Sequence, residues 1–426
     1  MKSKSGITAW LIEDNSIPVI SFQFAFKGAG SVNEPADKQG LAQLLSNTMD
    51  EGAGDLDSQA FQKELQDLSI SLSFSSGRDH FGGSVKTLTK NSERAFDLLE
   101  MAIMRPRFDD EPVQRMRDAN KSRIRSSLSN PDWMTARIMN DVAFADHSYA
   151  QNSGGTLSTL DAITSDDLRN FRRKHLGTNN LVVAVAGDIN AKRLKIILDN
   201  VFAGLPEVDI PAPNTFTLKN QKKIAVYKQD IPQTIIEMMT PALTKDDPDY
   251  FAAQVMNFVL GSSGFGSRLT EEIREKRGLT YGIYSSLQVM DYTNALRVST
   301  STKNENVPEM LSTIHKEFNA MREAGITQEE LDDAKAYLIG SLPLSLTSTD
   351  KISGLMLSLM RDDLGRDYLD RRQKAIEEMT IDDVKTVSSR LLSTDKFVSV
   401  LTGNPPLDIL QGFGEITTIE ALPNVE

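Results

Sequence analysis

The order of elements along this chain repeats once, and that repeat limits the fold more than any other feature. Strands over 7–12 and 18–26 open the first series, and a helix over 40–49 follows. Next come a helix over 58–68, with Ser58 as its N-cap, strands over 70–75 and 81–88, and helices over 92–104 and 111–127. Helices over 132–145 and 165–175 lead into a closing strand, 181–187. From Lys223 the order starts again. Strands 223–228 and 234–240, helix 248–260, strands 281–289 and 295–301, and helices 307–324 and 327–342 follow the earlier sequence of elements. Helices 352–364, 368–378 and 381–391 then precede a closing strand over 397–402. The closing pieces read alike, VVAVAGDI against VSVLTGNP. The pattern predicts two homologous α/β halves of about 200 residues each. The segment 204–216, GLPEVDIPAPNTF, carries three prolines and reads as an extended linker. The expected division is 1–204 for the first half, 205–222 for the linker and 223–426 for the second half.

Composition removes several functions. A net charge of −12 argues against nucleic acid as a partner. No cysteine is present, which excludes disulfides, thiolate zinc sites and cysteine nucleophiles. No apolar run approaches the roughly 18 residues of a membrane helix, so no membrane partner is expected. No signal peptide is legible in the run from Met1 into the first strand. The four histidines, His80, His147, His175 and His315, are dispersed and form no paired-histidine zinc motif.

Two stretches carry candidate chemistry. The first is 261–287, GSSGFGSRLTEEIREKRGLTYGIYSSL. A glycine loop containing Gly261, Gly264 and Gly266 runs into a charged helix that stops at Gly278, and a strand carrying Tyr281 and Tyr284 follows. Arg274 and Tyr281, seven positions apart, can present a guanidinium and a phenol over one cleft. Both groups donate hydrogen bonds to a carbonyl oxygen or an oxyanion. By itself the run reads more simply as a salt-bridged surface helix with a buried tyrosine, since charged helical faces are usually just solvated. The glycine loop is neither a dinucleotide fingerprint nor a P-loop. The second stretch is the helix over 40–49, where Gln43, Ser46 and Asn47 share the face opposite the leucines. Zinc is held by imidazole, carboxylate or thiolate, and an amide, a hydroxyl and an amide replace these poorly. Composition alone makes this an ordinary polar helix face.

These residues resemble the M16 (pitrilysin-like, inverzincin) metallopeptidases in their two-domain form, which includes mitochondrial processing peptidase. The run GLAQLLSNTM from Gly40 sits where that family has its GLAHxxEH helix, and RLTEEIREKRGLTY from Arg268 is similar to its second-domain pattern. The resemblance implies two LuxS/MPP-like α/β sandwich domains, each a largely antiparallel sheet flanked by helices. In active members the H-x-x-E-H helix supplies two zinc ligands and a glutamate base. The matching positions here are Gln43, Ser46 and Asn47, and counting to the family's third ligand, roughly 75 residues on, reaches Arg123. The expectation is therefore no metal and no cofactor in this chain. The family's carbonyl-binding arginine and tyrosine are kept as Arg274 and Tyr281, and Gly261, Gly264 and Gly266 sit where its non-zinc subunit has a glycine-rich substrate loop. The resemblance thus implies the non-zinc subunit of a heterodimeric metalloendopeptidase, similar to the alpha subunit of the mitochondrial enzyme. Its partner would carry H-x-x-E-H and zinc, and its substrate would be a peptide or unfolded polypeptide. The alternative it implies is an inactive scaffold or peptide-binding protein. The run from Asp50 to Asp57 resembles bacterial paired members, which makes the periplasm the expected location.

Overall fold

Alternate residues of Val19–Lys27 enter two environments. Ile20, Phe22, Phe24 and Phe26 are buried in a core shared with helices of the first half, while Ser21 and Gln23 bond to a helix that comes from the second half. In this computed structural model the chain is described over residues 1–426, apart from the side chain of Phe265. The first sheet contains β1 (Thr8–Glu13), β2 (Val19–Lys27), β3 (Ser71–Ser76), β4 (His80–Leu88) and β5 (Leu181–Gly187), in the order β1-β5-β2-β4-β3. Only the β1–β5 pair is parallel. The second contains β6 (Lys223–Lys228), β7 (Gln233–Pro241), β8 (Ile283–Val289), β9 (Asn294–Lys303), β10 (Val398–Gly403) and β11 (Glu415–Ile419), in the order β11-β6-β10-β7-β9-β8. Its β6 runs parallel to both β10 and β11.

The two sheets correspond strand for strand, β1-β5-β2-β4-β3 to β6-β10-β7-β9-β8. The glycine that ends each closing strand has one cause in both halves. Gly187 has φ +131 and Gly403 φ +154. A Cβ on Gly187 would lie 2.1 Å from the Val19 carbonyl oxygen, and one on Gly403 would lie 2.6 Å from Thr234 Oγ1.

The halves exchange helices. Helix Pro131–Ala143 belongs to the first half in sequence, yet its Ile138, Met139 and Ala143 pack on Ala225, Met239, Val398 and Val400 of the second sheet. Thr135 Oγ1 donates to Thr402 Oγ1 at 2.7 Å. In return, helix Thr349–Arg361 lays Met356 and Met360 on Ala184 and Ala186 of the first sheet. Ser353 and Ser21 share a hydroxyl bond of 2.9 Å. Each sheet is thus covered on one face by its own helices and on the other by a helix of its counterpart. A hairpin contact adds to this: the Tyr149 hydroxyl donates to Asp79, and the Asp291 N–H reaches the same carboxylate at 3.3 Å.

Several local expectations needed correction. The N-cap of helix Ser58–Asp67 is Asp57, not Ser58, because the Asp57 carboxylate accepts the Ala60 N–H. Helices Leu157–Ala162 and Ala191–Phe202 and strand β11 were not expected. The segments Phe258–Ser262 and Thr270–Glu275 wind as π-helical turns. Tyr281 lies just before β8 rather than within it. Residues 206–218 run without helix or strand between the halves.

Candidate functional site

Helix Leu41–Thr48 is set by a buried acid six residues upstream of Gly40. Glu34 Oε2 accepts the Gly40 N–H at 2.8 Å and Oε1 accepts the Ala42 N–H at 2.6 Å, so one carboxyl caps two free donors. Burial pushes its pKa up to about 8, against the two backbone bonds, which act to lower it. Gly40 has φ +87, and a Cβ there would lie 2.8 Å from Gly155 Cα. The sequence reading missed Glu34, since an acid in a polar loop carries no periodic signal. Gly40 is required by this close approach, whatever the helix binds.

The polar face of this helix is closed on itself. Gln43 Nε2 donates to Asn47 Oδ1 at 3.2 Å and lies 3.3 Å from Ser46 Oγ, while Ser46 Oγ donates back to the Gln43 carbonyl at 2.8 Å. Positions 43 and 47 therefore converge as metal ligands would, but their groups are neutral and satisfied by one another. The facing helix, Asp110–Ser127, buries Val113, Asn120 and Ile124 and turns Arg123 to solvent. Counting along the sequence had set Arg123 against Asn47. The helical phase instead puts Asn120 on the buried side, with an amide nitrogen that has no partner among the described residues. Among the described residues, no group of three His, Asp or Glu side chains is placed to hold a metal ion. The donor set of this face does not fit zinc.

The second set of residues lies at the free edge of the second sheet, where β8 is the outermost strand. The run from Ser267 is built for rigidity. Ser267 Oγ bonds the Gly264 carbonyl at 3.0 Å and Thr270 Oγ1 at 2.9 Å. Arg268 grips Glu330 with two bonds of 2.6 Å, and Leu269 is fully buried. Arg274 is at the end of the π-helical turn, partly exposed, with Nε 3.4 Å from Glu275. Such turns are common at functional sites. The chain then folds back on this turn. The Gly278 N–H donates to the Arg274 carbonyl and the Leu279 N–H to the Ile273 carbonyl, each at 3.0 Å.

Tyr281 follows two residues later, and its backbone is held by hydroxyls of β9. Thr302 Oγ1 donates to the Leu279 carbonyl at 2.7 Å, and Thr300 Oγ1 donates to the Gly282 carbonyl at 2.9 Å. The ring itself is 89% exposed, so the tyrosine is not the buried one of a salt-bridged surface helix. A fixed backbone thus carries a free phenol next to the turn bearing Arg274.

Of the loop glycines, Gly261 is buried, and a Cβ there would lie 2.6 Å from Ser285 Oγ of β8. Gly264 has φ +70 with open space around it, and Gly266 is exposed with only Ser263 Oγ nearby. Gly261 is therefore a packing requirement, while the other two leave the loop surface open.

Comparison with known proteins agrees with this architecture. Residues 25–156 match the model of the insulinase family, peptidase family M16, and residues 162–338 match that of the peptidase M16 inactive domain. A protein described as the non-peptidase homolog YmxG of Helicobacter pylori is 29% identical over 337 residues, covering 78% of this chain and 77% of that one. An uncharacterized zinc protease of Mycobacterium leprae is 24% identical, covering 88% of this chain and 85% of its own length. Among solved structures, the peptidase M16 inactive domain from Pseudomonas fluorescens superposes with a TM-score of 0.89 at 26% identity, covering 99% of both chains. A protease from Helicobacter pylori shares the fold at a TM-score of 0.84 and 20% identity, over 94% of this chain and 98% of its own. With a duplicated sandwich and two family models that together match more than half of its length, this chain belongs to the M16 peptidase family.

Proposed function

We propose that this chain is the non-zinc subunit of a two-chain M16 endopeptidase, and that it holds the substrate carbonyl for a partner that carries H-x-x-E-H and the metal. The observation behind this reading is the exposed Tyr281 phenol, on a backbone held at Leu279 and Gly282 just past the turn that bears Arg274, in a chain whose own ligand positions hold Gln43, Ser46 and Asn47. The phenol and the guanidinium are donors that strengthen their bonds as a carbonyl oxygen gains charge. The free edge of β8 offers unpaired backbone groups to an extended peptide. The open loop at Gly264 and Gly266 would border that peptide. No step of bond cleavage is assigned to this chain.

Purified chain mixed with an H-x-x-E-H homologue from the same organism should hydrolyse an unfolded polypeptide well above either protein alone. The second reading, an inactive scaffold, draws on the relative described as a non-peptidase homolog. It predicts no gain in hydrolysis on mixing, and that result would overturn the first.

A further inference from the structure

Strand register relates the two sheets residue by residue. Gly187 lies opposite Ile20 and Gly403 beside Thr234, and these rows continue across to Thr87 on β4 and Thr302 on β9. Two residues back along β4 and β9 stand Val85 and Thr300, which pair outward with Leu72 of β3 and Ile283 of β8. Counting back from Leu72 and Ile283 makes Ser71 the counterpart of Gly282, Ile70 that of Tyr281 and Leu68 that of Leu279. These counterparts point in different directions. Ile70 is buried in the core of the first half, whereas Tyr281 stands in solvent. The backbone also differs at the next residue. Ser71 pairs with Lys86 in its ladder, but the ladder of β8 begins only at Ile283, which leaves Gly282 outside it.

Hydroxyls take the place of the ladder at Gly282. Its carbonyl accepts Thr300 Oγ1 at 2.9 Å and Thr280 Oγ1 at 3.0 Å, and its N–H donates to Thr280 Oγ1 at 3.2 Å. Thr300 is buried, and the first half holds a buried valine, Val85, at the same position. An alkyl group therefore satisfies the packing at this point of the sheet, and the Thr300 hydroxyl serves the bracket beside Tyr281. Thr302 is different. Its bond to the Leu279 carbonyl at 2.7 Å has a counterpart in the first half, where Asn91 Nδ2 donates to the Leu68 carbonyl at 2.7 Å, so it belongs to the fold. We propose that Thr300 is a positioning residue: its hydroxyl holds the Gly282 peptide off the ladder and so turns the Tyr281 phenol outward to the substrate carbonyl. The inference rests on the reading that this chain holds that carbonyl. Thr300 acts only through the peptide next to Tyr281.

Thr300→Val keeps the shape of the side chain and removes the hydroxyl. In steady-state peptide cleavage by the reconstituted pair it should lower kcat about ten-fold and leave KM unchanged, since a displaced donor is missed most where its bond is strongest. Thr300→Ser, which returns the hydroxyl, should recover kcat to within about two-fold of wild type. In a Tyr281→Phe background, Thr300→Val should cost less than about two-fold more, because groups that act as one unit are not additive. Equal kcat for the wild type and Thr300→Val would overturn the assignment alone. An undiminished loss in the Tyr281→Phe background, or no recovery with serine, would also overturn it, since the effect would then be general loosening. An inactive wild-type pair would overturn the two-chain reading and the assignment with it. Amide exchange at Gly282 in the chain by itself keeps the two failures apart. It should quicken in Thr300→Val and not in Thr300→Ser, and unchanged exchange would overturn the bracket whatever the pair does.

Discussion

Replacing Tyr281 by phenylalanine removes a single oxygen on which the fold does not depend. The ring is 89% exposed, and the bonds that fix the loop run from Thr300 and Thr302 to backbone carbonyls, which the substitution leaves in place. Stability should therefore change by less than about 0.5 kcal/mol, the usual range for a surface site. Catalysis by the reconstituted pair should suffer far more. Losing one oxyanion donor costs one to three powers of ten in rate, about 1.4 to 4 kcal/mol of transition-state stabilisation. The loss should fall on kcat, because the bond strengthens only as the oxygen gains charge. The assay is steady-state cleavage of a quenched fluorescent peptide by equimolar subunits, with thermal melting and zinc content of the partner measured alongside. Both controls should be unchanged. A variant that melts normally, pairs normally and cleaves at the wild-type rate would refute the assigned role.

Three further outcomes test the fold around the site. Glu34 has a folded pKa of about 8 against an ordinary 4.5, so the folded state holds the proton more tightly than the unfolded one. Stability should fall as pH rises from about 4.5 to about 8, by up to about 1.4 kcal/mol per pH unit. Urea unfolding at pH 6 and 7.5 should show this decline in the wild type and not in Glu34→Gln, and parallel curves would contradict it. Gly187→Ala drives a methyl to 2.1 Å from the Val19 carbonyl oxygen at a positive φ. It should cost on the order of 2 kcal/mol or more in equilibrium unfolding, and a neutral result would remove the reason given for the repeated glycine. Met360→Ala empties a contact between the halves. It should lower stability by about 2–4 kcal/mol while unfolding remains a single transition, because each sheet lacks its cover without the other half. Two separated transitions would argue against the exchange as the source of cohesion.

The sheets were legible because strand alternation and the repeat of element order are local properties. β5 and the closing strand β10 read directly from apolar runs ending in glycine. What the π-helical turns do was not legible, since they share their composition with an ordinary helix. The outward direction of Arg123 was not legible because a residue count along the chain does not carry the helical phase. Glu34 gave no signal at all, because its partners lie in a backbone turn rather than in a pattern.

Residue identity alone determined that the face of Gln43, Ser46 and Asn47 lacks metal donors, and no arrangement of neighbours could alter that. It also determined the duplication and most of the strands. Only the tertiary structure decided that Tyr281 stands free in solvent and that each half covers the other's sheet. The physical reason is that periodicity encodes which face of an element is apolar, not which distant surface will cover it. Here the covering surface comes from hundreds of residues away, as in the bond from Ser21 to Asp350.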